Sequence, residues 1–223
     1  LHFSNYDFKF VGALRPGECC NLELRKTVDK TADGKGLSTR AVLRKEDGSP
    51  VLMGTQSETD RPRYLDGSIP AALPDLSVLP DRAVIPGTQL FLKRKFLTTS
   101  NGKNFVLAGL GLQQDYFDEL DELVSFPPLF TVGLSSCALL ERAWQAGYDF
   151  ETDPVVYATH QISVDRQRQS GLRSNDRLHL VVEGPMTNGP GDAALETYHV
   201  FGLVAAERVL FAARLQLARL QAS

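Results

Sequence analysis

Glu141 is the side chain in this sequence best placed for chemistry. It lies in a long apolar stretch rich in small residues, Ser125–Gly147 (SFPPLFTVGLSSCALLERAWQAG). A helix that is apolar nearly all round is expected to be buried. A carboxylate there loses hydration, so it should be paired, protonated or functional. The alternative is a partly exposed glutamate that pairs with an arginine at the helix edge. Arg142 is not that partner, because it points roughly 100° away on a helix.

Two further side chains near this stretch could take part in acid–base chemistry. His160 lies on the strand predicted just after the helix and could supply an imidazole. A single strand histidine is more often packed or surface-exposed, and that is the alternative. Asp115 precedes the helix and could act as a second carboxylate. Because its segment is strongly acidic, a solvated face is the competing interpretation.

Composition excludes several classes of function. The 223 residues carry a formal net charge of -3, with basic residues scattered, so no nucleic-acid partner is expected. No apolar run approaches the ~20 residues that span a bilayer, and no signal peptide is recognisable. The three cysteines do not suggest a disulfide framework, which favours a cytoplasmic location. Without metal-ligand spacings or glycine-rich phosphate loops, we expect neither a metal nor another cofactor.

The pattern of turns and strands indicates an internal duplication. Residues 1–57 read as an antiparallel meander, and the C-terminal part repeats it at a constant offset of 158 residues. At that offset Leu14–Arg15 meets Leu172–Arg173, and Val51–Leu52 meets Val209–Leu210. We therefore predict three regions. Residues 1–60 form a first unit made only of strands, 61–88 a proline-rich linker, and 89–223 a second unit with a central helix at about 129–147. A helix for the first unit either precedes Leu1 or is absent from the fold.

A duplicated meander that wraps a central helix resembles the double hotdog fold, which is of the α+β class. The helix region is similar to that of β-hydroxyacyl-carrier-protein dehydratases: Phe126–Pro127 matches one end of their pattern and Leu140–Gly147 the other. The turn Leu172–Asp176 is similar to the strand entry of these enzymes and of MaoC-like hydratases, and Leu14–Glu18 is a closer copy still.

The resemblance implies a dehydratase or hydratase that acts on 3-hydroxyacyl (enoyl) thioesters in fatty-acid-like or polyketide biosynthesis. Such chemistry needs a base for the α-proton and an acid for the leaving hydroxyl. The family carboxylate falls on Glu141 and the family histidine on Ser125. His160, a residue upstream of Leu1 or a residue of a partner chain would have to complete the site, with Asp115 as a stand-in for the MaoC-type aspartate. The alternatives are an acyl thioesterase on the same fold, or a subunit that binds acyl chains or completes a heterodimer without catalysis.

The same resemblance implies a tunnel for an acyl chain between the helix and the sheet. Amides at the helix N-terminus could polarise the thioester carbonyl. The substrate would be carried by acyl-carrier protein or coenzyme A. A homodimer or a heterodimer of hotdog subunits is expected from the open sheet edges. The predicted substrate-binding residues are Ser125, Gly133, Leu134 and Cys137.

Overall fold

A computed structural model describes residues 1–65, 73–118, 120–152, 154–188, 195–205 and 208–219. The strands are β1 (Phe3–Phe10), β2 (Cys20–Leu24), β3 (Val28–Lys30), β4 (Gly36–Lys45), β5 (Pro50–Thr59), β6 (Ala83–Val84), β7 (Phe91–Phe96), β8 (Phe117–Asp118), β9 (Leu123–Val124), β10 (Val155–Asp165), β11 (Arg177–Asn188), β12 (Leu195–Val204) and β13 (Arg208–Arg219). The helices are α1 (Thr99–Ala108), α2 (Phe130–Gly133), α3 (Ser135–Gln145) and α4 (Arg166–Ser170).

One antiparallel sheet runs through the molecule in the order β2-β4-β5-β1-β10-β13-β12-β11-β7-β6, with β3 beside β4. The order on one side of the central β1–β10 pair mirrors the order on the other. Strands β1, β2, β4 and β5 thus form a first repeat, and β10, β11, β12 and β13 a second. The second repeat continues into β7, whereas β2 is an edge strand among the described residues.

The turn that follows the first strand of each repeat has the same hydrogen bonds in both copies. The Arg15 amide donates to the Glu18 carboxylate at 2.7 Å, and the Arg173 amide donates to the Asp176 carboxylate at 2.7 Å. Each acidic residue in turn donates its own amide to the carbonyl of its arginine. The sequence offset of 158 therefore holds at these turns.

The constant offset does not hold through the rest of the repeat. On the helix side of the sheet, β4 presents odd-numbered residues such as Leu43, whereas β12 presents even-numbered residues such as Val200. Successive side chains of a strand point to opposite sides of the sheet. An offset of 158, an even number, would therefore match a residue of β4 on the helix side with a residue of β12 on the other side. The structural alignment of β4 and β5 therefore needs an odd offset, which the sequence match did not provide.

The sheet carries a separate apolar core on each side of its second repeat. On one side, α2 and α3 pack over inward residues that include Leu180, Val200 and Leu215. On the other side, Leu76 and Ile85 are buried against Val181 and Phe201. These two residues belong to the segment predicted as a linker. Residues 73–88 of this segment thus pack on the sheet, and Leu65 of its described start, 61–65, packs against the same core. Residues 66–72 lie outside the described residues.

The central helix of the second repeat is divided into two pieces. Residues predicted as one helix at about 129–147 form the short α2 and the eleven-residue α3, with Leu134 between them. Gly147 follows with a positive φ of 78°, the left-handed conformation expected of a glycine after a helix. Within the described ranges no helix is long and apolar enough to cross a membrane.

Candidate active site

A cavity of about 320 Å³ lies between α3 and the sheet of the second repeat. Helix α3 forms one wall, strands β10, β12 and β13 form the floor, and the segment after α3 closes one side. The lining is almost entirely apolar or aromatic. It consists of Ser136, Leu139, Leu140, Ala143, Tyr148, Phe150, Val155, Tyr157, Glu196, Tyr198 and Leu217.

Among the described residues, Glu196 is the one carboxylate in the cavity lining, and it is only 9% exposed. Its carboxylate accepts a hydrogen bond from the Tyr198 hydroxyl at 2.9 Å and another from the Arg219 guanidinium at 2.7 Å. Arg219 also lies over the ring of Tyr148, 5.4 Å from the ring centre. Burial, followed by the nearby Glu196 charge, raises the pKa of Tyr198, so its hydroxyl stays protonated and donates.

A second polar pair lies on the other flank of the cavity. The Ser136 hydroxyl on α3 and the Tyr157 hydroxyl on β10 are 3.1 Å apart and share a hydrogen bond. Tyr157 also contacts Phe10 of β1, with ring centres 6.0 Å apart. This flank of the cavity therefore borders the first repeat.

Glu141 lies away from this cavity, in an ion-pair cluster between α3 and β7. Its carboxylate is 2.9 Å from the Lys93 ammonium, whose side chain is 3% exposed, and 3.3 Å from Arg82. The Arg82 contact lacks hydrogen-bond alignment, since that carboxylate oxygen has no hydrogen-bond partner. Asp81 gives Lys93 a second anionic neighbour at 3.4 Å. The carboxylate that the sequence marked as anomalous is therefore paired, and it fastens the helix to a buried cation.

His160 lies on β10, opposite Phe8 of β1, and its ring stacks on Tyr157 with centres 5.7 Å apart. Its Nε2 atom is buried and has no hydrogen-bond partner. Burial lowers the pKa of His160 to about 4, so the imidazole is neutral at pH 7. Asp115 is exposed in a single 3₁₀ turn before β8. No described hydrogen bond or ion pair joins Glu141, His160 and Asp115 to one another.

The predicted substrate-binding residues do not line the cavity either. Ser125 is exposed, and its amide donates to the Tyr116 carbonyl at 2.7 Å. Gly133 is exposed at the end of α2, and its amide donates to the Leu129 carbonyl. Leu134 and Cys137 are half-buried. Across the described ranges, no cluster of histidine, cysteine and carboxylate side chains could hold a metal ion.

Sequence reasoning missed Glu196 and Tyr198, although a signal for them exists. In the strand LETYHVFGLV the even-numbered positions point toward the helix, and Val200 belongs to the helix-side core. A glutamate at a strand position that points into the apolar core is as unusual as a carboxylate in an apolar helix. Nothing in the sequence shows that these positions lie beside α3, more than fifty residues earlier.

Comparisons with known proteins identify the architecture. No protein-family model matches the chain, and no curated protein matches it by sequence. A putative MaoC domain protein dehydratase from Chloroflexus aurantiacus superposes with a TM-score of 0.62 at 13% identity, covering 98% of this chain and 75% of that one. A conserved hypothetical protein from Mycobacterium tuberculosis, described as having a double hotdog fold, gives a TM-score of 0.60 at 10% identity, with coverage of 99% and 75%. The chain has a double hotdog fold.

A thioesterase is also similar in structure to this chain. The acyl-CoA thioesterase II TesB2 from Mycobacterium marinum has a TM-score of 0.54 at 15% identity, covering 100% of this chain and 82% of that chain. Dehydratases and thioesterases are thus both similar in structure to this protein. At such low identity the likeness establishes the predicted α+β double hotdog fold and leaves the reaction to the residues of the site. In the described part of this chain, the first hotdog unit lacks a central helix.

Replacing Glu141 should test its role in stability. In Glu141→Gln, Lys93 stays buried with only Asp81 as an anionic neighbour, so the free energy of unfolding should fall by roughly 3 kcal/mol. Arg82→Gln is the matched control, because Arg82 is 62% exposed and should contribute less than about 1 kcal/mol. Urea denaturation measures both. Equal, small losses would show that the pair does not anchor the helix.

The neutral state of His160 predicts a dependence of stability on pH. Its pKa is about 4 in the folded protein against about 6.5 unfolded. Between these values the unfolded chain binds the proton and the folded chain does not, so stability should fall as pH drops from 6.5 to 4, by about 3 kcal/mol at most.

The variant His160→Phe should lose less stability over the same pH interval, as measured by urea denaturation at several pH values. His2→Gln is the control, since His2 is exposed and should leave the slope unchanged. His179, whose pKa is also lowered to about 4, keeps part of the slope in every variant. An unchanged slope in His160→Phe would contradict the assignment.

Proposed function

We propose that this protein binds the acyl chain of a thioester in the cavity beside α3. The observation that carries the proposal is the apolar lining of that cavity, formed by the central helix and the sheet of a double hotdog unit. Its volume of about 320 Å³ lies within the range of small-molecule sites. At ~30 Å³ for each water-sized group, a chain of roughly ten such groups would fill it.

The two polar pairs of the cavity fit the functional groups of such a substrate. Ser136 and Tyr157 offer hydroxyls on one flank, and Glu196, whose carboxylate Tyr198 holds, offers an acceptor on the other. A carbonyl oxygen on the chain would find a donor at the first place, and a hydroxyl would find an acceptor at the second. The apolar remainder would take the alkyl part, whose burial contributes about 0.8 kcal/mol for each methylene group.

Filling the cavity should weaken acyl binding. Ala143 lines the cavity, so Ala143→Phe should reduce the affinity for decanoyl-coenzyme A by on the order of tenfold to a hundredfold, since several buried methylene groups lose their place. Ala146→Phe is the matched control, because Ala146 is exposed at the end of the same helix and is absent from the lining. Calorimetric titration measures both. Equal affinity in the two variants would place the acyl chain elsewhere.

We also propose a reaction for this site, dehydration of a 3-hydroxyacyl thioester or the reverse hydration. Glu196 supports it, as the carboxylate of the cavity lining. It would take the α-proton and return it to the leaving hydroxyl, so that an enoyl thioester and water form. Arg219 and Tyr198 would hold the carboxylate in place. The carrier of the acyl group would be coenzyme A or acyl-carrier protein.

Replacing Glu196 should separate the reaction from binding. With crotonyl and 3-hydroxyacyl thioesters of both carriers, Glu196→Gln should lower turnover at least about a hundredfold, because the amide cannot accept the proton. Glu183→Gln is the control, since Glu183 pairs with His199 and does not line the cavity.

Three other results of this assay would point to the alternatives. Loss of turnover in folded Glu141→Gln would instead support Glu141, as the sequence predicted. Release of free thiol would favour a thioesterase. Acyl binding with no turnover in the wild-type protein would favour a subunit that binds acyl chains without catalysis.

A further inference from the structure

The first repeat presents an uncovered apolar surface on the helix side of the sheet. Register places alternate residues of β1, β2, β4 and β5 on this side. Several are large and exposed: Phe10 is 40% exposed, Leu22 61% and Leu24 68%. We call this surface the bare face. It consists of Phe8, Phe10, Leu22, Leu24, Ala41, Leu43 and Leu52.

The opposite side of the same four strands is polar. Most of the intervening positions carry charged or polar side chains, among them Asp7, Lys9, Glu23, Arg40 and Arg44, and the apolar Val42 and Met53 lie between them. A sheet with one polar and one apolar side turns the polar side to water and packs the apolar side against another layer. Monomeric proteins rarely leave a contiguous apolar surface of this kind in water. The bare face is therefore a contact surface.

The second repeat shows which kind of layer covers the equivalent surface. There α3 lies on the helix side of the sheet, and Ala138 and Leu139 are buried in one core with Tyr198 and Val200 of β12. Strands β4 and β12 hold the same place in the two repeats. By this internal comparison, the bare face takes a helix with uncharged, apolar side chains.

Helix α3 has a second apolar stripe that faces away from its own sheet. Leu140 is 49% exposed and Trp144, one turn later, is 74% exposed. Cys137 and Gly133 continue the same line toward the N-terminus, so the stripe carries no charge. An exposed tryptophan on an apolar helix face is typical of a protein–protein contact.

We propose that two copies of this chain associate face to face, with α3 of each copy packed on the bare face of the other. One chain offers both halves of the contact, a helix with a free apolar stripe and a sheet surface that lacks a helix. A two-fold axis would repeat the contact and bury all four surfaces. Each α3 then lies between its own second repeat and the partner's first repeat.

The association also completes the wall of the cavity. Leu140 lines the cavity and is half exposed, so the cavity opens to solvent beside this residue. The partner's bare face would cover that opening with apolar side chains. The proposal stands on the two exposed surfaces and does not depend on what the cavity binds.

Oligomeric state and charge substitution test the proposal. The wild-type chain should sediment as a dimer that dissociates on dilution. Leu24→Glu on the bare face and Trp144→Lys on the helix stripe should each weaken the dimer by on the order of a hundredfold or more, because each buries an unpaired charge at both contacts. Val78→Glu is the matched control: Val78 is 76% exposed in the segment that covers the other side of the sheet, so this variant should remain dimeric.

Mixing the two disrupted variants makes the test specific for the reciprocal contact. In a heterodimer of Leu24→Glu with Trp144→Lys, the unchanged helix of the first variant packs on the unchanged bare face of the second. At the other contact, the lysine of the second variant packs on the bare face that carries the glutamate of the first. The mixture should therefore form dimers although each variant alone is monomeric. Trp144 is the single tryptophan of the chain, so its emission should shift to shorter wavelength when wild-type protein dimerises.

Three results would overturn the proposal. The wild-type chain could be monomeric at every concentration, which would assign the bare face to a helix from a different polypeptide segment. Leu24→Glu could dimerise as well as Val78→Glu. The two disrupted variants, shown to be folded by circular dichroism, could fail to associate when mixed.

Discussion

The pairing of β1 with β10 is the constraint on which the rest of the structure depends. These strands run antiparallel from Phe3 opposite Asp165 to Lys9 opposite Thr159, and they join two separate meanders into one sheet. Asn5 reinforces the junction. Its side-chain oxygen accepts from the Ser163 hydroxyl across the pair at 2.7 Å, and its side-chain nitrogen donates to the Thr59 hydroxyl of β5 at 2.8 Å. Because the sheet is continuous, any layer that covers one repeat must fit beside the layer on the other. The cavity lies at that boundary, where Tyr157 meets Phe10.

Local chemistry made several parts of this fold predictable. The turns at Leu14–Glu18 and Leu172–Asp176 depend on contacts within five residues, and both adopt the same hydrogen bonds. Strand alternation and the small-residue helix are also local patterns, and the resemblance of this helix region to known dehydratases led to the prediction of a double hotdog fold. The register of β4 and β5 was not predictable, because it is set by pairing with β1 and by irregularities in the ladders rather than by residue identity.

The candidate site was harder to predict because its parts come from distant segments. Glu141 is unusual for its position, and the sequence predicted that it would be paired, protonated or functional; the structure shows the pair. Its main partner, Lys93, lies on a strand about fifty residues earlier and was not anticipated. Glu196 lacks any local motif, and only the folded sheet brings it to the cavity. A charged residue in an apolar segment thus predicts a buried polar interaction. It does not predict whether that interaction stabilises the fold or takes part in catalysis.

Strand β7 carries two cationic side chains that point to opposite sides of the sheet and bind different layers. Lys93 pairs with Glu141 on the helix side of the sheet. The next residue, Arg94, donates to the carbonyls of Leu76 and Leu79 in the covering segment, residues 73–88, on the other side. The two layers also touch at the sheet edge, where Gln145 of α3 donates to the Arg82 carbonyl at 2.8 Å, and β7 fastens both. Their stabilities are consequently linked: any fluctuation that lifts β7 from β11 releases the helix and the covering segment together. This half of the molecule should therefore open as a single cooperative unit, so that access to the cavity and loosening of the opposite surface become one event.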